Sequence, residues 1–126
     1  MRRSKNLLEA LEVIKKRNEM IKNNKKYLKI INNSIKKILP EARTFLFGSI
    51  LENKLVAGSD IDILILADVP KSQMKRAEIT VKIEKAAKLP YVHPFDFHLL
   101  TQEEFVDWNS IYKISTKKIE DYLKNK

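Results

Sequence analysis

The chain is 126 residues long, 44% hydrophobic, with 25 Lys and Arg against 16 Asp and Glu, a length that suits one domain around a single core. With no cysteine and two histidines, disulfides, thiolate sites and His-based zinc sites are excluded, so a bound metal would sit on carboxylates and be a hard ion such as Mg²⁺ or Mn²⁺. No apolar run approaches the roughly 20 residues of a membrane-spanning helix, and Glu9 and Glu12 interrupt the stretch after the basic start, so a cytoplasmic protein with no signal peptide and no membrane association is expected.

Leu7, Leu8, Leu11, Ile14 and Ile21 recur at helical spacing, with Ser4 a candidate N-cap, and Tyr27, Ile30, Ile31, Ile35 and Leu39 continue the pattern. This predicts two helices, over about 5–22 and 25–38, the second closed by Pro40. Residues 1–38 hold twelve Lys and Arg against three Glu, and the rest of the chain is balanced, so the whole excess of +9 lies on this segment. Such a stripe could attract RNA or an acidic partner surface, although a solvated face is the default reading of a charge run.

Thr44-Phe45-Leu46-Phe47 reads as a strand stopped by Gly48, and a short helix follows Ser49 through Asn53. Gly58-Ser59 introduces a second strand, from Asp60 to Leu66. A helix is expected over about 71–88, ended by Leu89-Pro90, and a third strand from Val92 to Leu100. Thr101-Gln102-Glu103-Glu104 has the pattern of a capping box for a final helix or helices carrying Phe105, Trp108, Tyr112, Ile119 and Tyr122. The aromatic stripe there reads as core packing by default, with an oligomer or partner interface as the alternative. The alternation predicts an α/β (α+β) domain: a small mixed sheet of about three strands flanked by helices, with an extra N-terminal helix.

The chemistry concentrates on the strands. In an extended chain, residues two apart share a face, so Asp60 and Asp62 should project together while Ile61, Ile63 and Ile65 point into the core. Paired carboxylates repel and are costly to bury unless a cation lies between them. Asp96 sits between Phe95 and Phe97 and shares its face with His98. If the two strands are neighbours, three carboxylates converge, and the third could accept the proton of an attacking hydroxyl. A satisfied surface histidine is the default for His98, and His93, before Pro94, reads as structural. Gly48 permits a tight strand-to-helix turn, and the backbone N–H groups and hydroxyl at Ser49 suit phosphate oxygens.

Phe47-Gly48-Ser49, then Gly58-Ser59-Asp60-Ile61-Asp62, then Phe95-Asp96-Phe97 resembles the DNA polymerase beta-like nucleotidyltransferase superfamily over about residues 25–105. The short length is similar to its minimal bacterial and archaeal nucleotidyltransferases. The resemblance implies a nucleoside triphosphate, ATP by analogy, used with Mg²⁺ or Mn²⁺ to transfer a nucleoside monophosphate to a hydroxyl of a protein or RNA acceptor. By position, Asp60, Asp62 and Asp96 would be the catalytic metal ligands. Gly48 and Ser49 would hold the phosphates, with Ser59 and Lys54 as further nucleotide-binding candidates. It also implies a partner: minimal members are similar to antitoxins that modify a HEPN-domain toxin. One departure stands out, because the pattern Gly-Ser-x-x-Arg-Gly is here Gly48-Ser49-Ile50-Leu51-Glu52-Asn53. An acid near a triphosphate is unfavourable, and Lys54 is the nearby compensating cation. The alternative expectation is therefore a weakly active or inactive module that binds a HEPN-type protein or RNA. The chain reads as one domain: basic helices over 1–39, a catalytic sheet region over 43–100, and a C-terminal helical part over 101–126, with a homo-oligomer left open.

Overall fold

The computed structural model describes residues 2–124, with side chains described from Asn6 onward. Two helices, α1 (Arg2–Lys22) and α2 (Asn24–Ile38), lead into strand β1 (Arg43–Phe47). A short 3₁₀ turn, Gly48–Glu52, precedes β2 (Ile61–Leu66). Then follow α3 (Gln73–Ala86), β3 (Phe95–Leu100), α4 (Gln102–Tyr112), β4 (Thr116–Lys118) and α5 (Ile119–Lys124). Helix α1 begins at Arg2, so Ser4 lies within it rather than ahead of it; the Ser4 side chain is outside the described residues.

The sheet is mixed, as expected, and runs β3-β2-β1-β4. β1 is antiparallel to both β2 and β4, and β2 is parallel to β3. β4 is an addition to the expected strands: it joins the edge beside β1 in a stretch whose sequence reads as helix. The C-terminal segment is thus helix, strand, helix.

Strand alternation divides the core in two. Ile61, Ile63 and Ile65 are fully buried, and they pack with Leu28, Ile31 and Ile35 of α2, Ile83 of α3, and Phe95 and Leu99 of β3. Each such side chain stabilises the fold by roughly 1.5–3 kcal/mol through removal from water. On the opposite face, Phe47, Leu64 and Leu66 form a smaller cluster under Phe105 and Trp108 of α4. The capping box that starts α4 is formed: Thr101 Oγ accepts from the Glu104 N–H, and the Glu104 carboxylate accepts from the Thr101 N–H. Helix α4 packs over Leu64, Leu66 and Phe47 on that face, while Asp62 and Asp96 remain partly exposed. Tyr122 packs against the larger core, whereas Tyr112 is exposed.

Helix α1 is unlike the others. Leu7, Leu8, Leu11 and Ile14, spaced for one helical face, are all exposed, and among the described side chains of α1 only Met20 and Ile21 at its C-terminal end are buried. Its corner with α2 is fixed by Glu19, whose carboxylate accepts from the Tyr27 hydroxyl (2.5 Å), Asn23 Nδ2 (2.9 Å) and Lys16 Nζ (3.0 Å). No helix among the described residues is long and apolar enough to cross a membrane.

Candidate active site

The register of the parallel pair sets the site. Asp62 of β2 stands directly across from Asp96 of β3, and neighbouring strands lie about 4.8 Å apart, so the two carboxylates share one face and one level. His98, two residues after Asp96, shares that face. Its Nε2 lies 3.2 Å from Asp62 Oδ1 and 3.3 Å from Asp96 Oδ2. One ligand atom from each of Asp62, Asp96 and His98 falls within 4.8 Å of the others. A single ring nitrogen carries at most one proton, so it can satisfy only one of the two carboxylates at a time. Burial pushes the Asp62 carboxyl above its usual range, and the nearby charges of Asp96 and Asp60 add to that, while the His98 hydrogen bond works against it. Two carboxylates and an imidazole in this arrangement form a donor set that fits a divalent ion.

Gly48 makes room for the cluster. Phe47 pairs with Asp62 across β1 and β2, which brings the next residue against the Asp62 side chain. Gly48 has φ +80°, and a Cβ on it would lie 2.7 Å from Asp62 Oδ2. Both the backbone conformation and the contact call for glycine. The helix expected after Ser49 is a five-residue 3₁₀ turn closed by Asn53 in the left-handed conformation. With so few aligned peptides, it offers local N–H groups rather than an extended dipole. Phe47 borders the acids on the other side, with its ring 5.0 Å from the His98 ring and 5.5 Å from Trp108.

The remaining sequence candidates are dispersed. Ser59 is engaged in its own turn: its hydroxyl accepts from the Val56 N–H (2.9 Å) and its N–H donates to the Val56 carbonyl (3.0 Å). Lys54 Nζ is 4.0 Å from Glu52 Oε2, and both are well exposed. Asp60 precedes β2, and its Oδ1 accepts a 2.7 Å hydrogen bond from Arg17 Nη2 of α1. Among the described residues, the close group able to hold a metal ion is Asp62, Asp96 and His98, and Asp60 is near enough to act on the Asp62 carboxyl.

Two residues of the site were not assigned from sequence. His98 carried a signal, its shared face with Asp96, but the surface-histidine default concealed it. Arg17 carried none, because its partner is 43 residues away. His93 is structural as expected: its Nδ1 accepts from the Phe95 N–H, so Nε2 holds the proton it donates to Glu84.

The sequence profile of the nucleotidyltransferase domain family matches residues 28–122. A crystal structure of a candidate nucleotidyltransferase is 34% identical, with TM-score 0.55, covering 71% of this chain and 94% of that one. A toxin–antitoxin crystal structure with AMP-PNP is 22% identical, with TM-score 0.50, covering 73% and 71%. The tri-AMPylated Shewanella oneidensis HEPN toxin in complex with MNT antitoxin is 22% identical, with TM-score 0.44, covering 74% and 68%. At 22% identity the second speaks to the fold alone, and the third superposes too loosely to add to it. No curated protein matches the chain.

Proposed function

This chain belongs to the nucleotidyltransferase domain family, and on that premise we propose that it transfers a nucleoside monophosphate, AMP from ATP, to a hydroxyl of a protein or RNA acceptor with a divalent ion. The observation that carries this reading is the in-register pairing of Asp62 with Asp96, with His98 between them and Gly48 shaped around Asp62. Asp62, Asp96 and His98 would hold the ion, with Asp60 as a further carboxylate beside them. A bound Mg²⁺ or Mn²⁺ would neutralise phosphate charge and lower the pKa of the attacking hydroxyl.

The chain's own groups account for the rest. The backbone at Gly48-Ser49 would orient the β- and γ-phosphates, with Lys54 as a nearby cation. The acceptor oxygen attacks the α-phosphorus, the bond to the bridging oxygen breaks, and pyrophosphate leaves. Asp96, whose side chain is 55% exposed, is accessible enough to take the proton of the attacking hydroxyl.

The acceptor is proposed to come from a toxin-type partner such as a HEPN protein, in the cytoplasm, with the chain acting as one domain. The support is a surface suited to a partner: the exposed apolar stripe on α1 and the exposed Ile111 and Tyr112 on α4. RNA docking on the basic α1 and α2 would serve the same end.

A second reading, a binding module with little turnover, is favoured by one observation. Glu52 is 61% exposed on the turn that follows Gly48 and draws on Lys54, which weakens that lysine as a phosphate ligand. Incubation with labelled nucleoside triphosphates, Mn²⁺ and the partner chain separates the two. Transfer that disappears in Asp62→Asn and Asp96→Asn supports the enzyme. A partner neutralised equally well by those variants would sink catalysis as the mode of action.

A further inference from the structure

The matched family region begins at residue 28, yet an element outside it reaches the acidic site. Arg17 of α1 lies with its side chain 17% exposed and its Nη2 2.7 Å from Asp60 Oδ1. It is held there by the fixed corner behind it, where Glu19 binds Tyr27 and Asn23. Asp60 itself is 65% exposed and stands outside the Asp62–Asp96–His98 group, although its charge acts on Asp62. A guanidinium occupying a carboxylate beside a metal site is a competing cation.

We propose that Arg17 is a positioning residue that competes with the metal for Asp60. In the metal-free chain it neutralises Asp60 and holds it aside; when Asp60 joins the other ligands, the pair must open and the C-terminal half of α1 loosens. This rests on the metal-site reading above. It extends that reading by making the added helix part of the site: whatever displaces α1 changes metal loading, and metal loading changes α1.

The test is Mn²⁺ titration without nucleotide, following free Mn²⁺ by electron paramagnetic resonance. Arg17→Gln should bind about two- to fivefold more tightly than the unaltered chain, the scale of an exposed ion pair. Arg17→Lys should fall between, since it keeps the charge and loses the fork. Lys15→Gln, which removes an exposed neighbouring charge outside that corner, should bind as the unaltered chain does. In an Asp60→Asn background, Arg17→Gln should make no difference. Unchanged or weaker binding by Arg17→Gln overturns the proposal, and so does a gain that persists without Asp60 or is equalled by Lys15→Gln. Either result leaves the nucleotidyltransferase reading standing. Failure of every form to bind Mn²⁺ overturns both. Should Arg17→Gln not fold, amide exchange of the unaltered chain decides: Mn²⁺ should speed exchange across residues 14–20, and no change refutes the competition.

Discussion

Gly48 and Asp62 are fitted to each other: the space that a Cβ would take at residue 48 is filled by Asp62 Oδ2, 2.7 Å away. Gly48→Ala would impose a left-handed conformation on an L residue, which costs about 1–2 kcal/mol, and would push the carboxylate off its position. The expected result is a lower melting temperature together with weakened Mn²⁺ binding. A variant that melts lower but binds Mn²⁺ as before would mean that the contact is incidental to the site.

Asp62 should limit stability while supporting function. Its carboxyl is raised above its usual value of 3.8, mainly by burial. A raised carboxyl is stabilising while protonated, so its contribution is present below the unfolded-state pKa and is lost as pH rises through the folded one. Asp62→Asn keeps an acceptor for His98 and removes the charge. In the absence of metal it should melt higher than the unaltered chain at pH 7, with the advantage fading towards pH 3. It should also lose Mn²⁺ binding. An Asn variant that is less stable at pH 7 would contradict the electrostatic account.

Much of this arrangement can be read from residue order, for identifiable reasons. Ile61, Ile63 and Ile65 share the face of β2 that meets the larger core, and side-chain alternation puts Asp62 on the other face, where Leu64 and Leu66 are buried and Asp62 alone is polar. The Thr101–Glu104 capping box is legible because its partners are three residues apart. Thr116-Lys117-Lys118 shows no such pattern: it is an edge strand of three residues, held by pairing with Phe45, Leu46 and Phe47, and its own side chains do not announce it. The Asp60–Asp62 pair is only half covered by strand periodicity, because β2 begins at Ile61. Asp60, one residue outside, is free to pair with Arg17, and that pairing depends on where α1 lies in space.

The α1–α2 corner should be acid-sensitive. The Tyr27 hydroxyl, Asn23 and Lys16 hold the Glu19 carboxyl down to about 2, from its usual 4.5. A depressed carboxylate stabilises the fold above its unfolded-state pKa, and that contribution is lost as pH falls through the folded one. The corner should therefore be intact at pH 5 and release between about pH 4.5 and 2. Amide exchange in α1 should rise over that window. Tyr27→Phe, which removes the largest cause of the shift, should move the release to higher pH. An unchanged midpoint in that variant would show that the network does not hold the helix.

Arg76 offers the reverse case, a conspicuous charged residue whose role is structural. It is 5% exposed; Nε donates to the Pro70 carbonyl and Nη1 to the Leu99 carbonyl. Its Nη2 lies 2.9 Å from Glu104 Oε1, close enough for an ion pair without the alignment of a hydrogen bond. It ties α3 to the end of β3 and the start of α4, at the far end of β3 from Asp96. Arg76→Ala would remove the partner of the Pro70 and Leu99 carbonyls and the cation beside the partly exposed Glu104 carboxylate, a loss of about 1–3 kcal/mol. The molecules that remain folded should bind Mn²⁺ as tightly as the unaltered chain does. Denaturant unfolding alongside Mn²⁺ titration separates the two effects. Weakened Mn²⁺ binding at full folding would place Arg76 in the site after all.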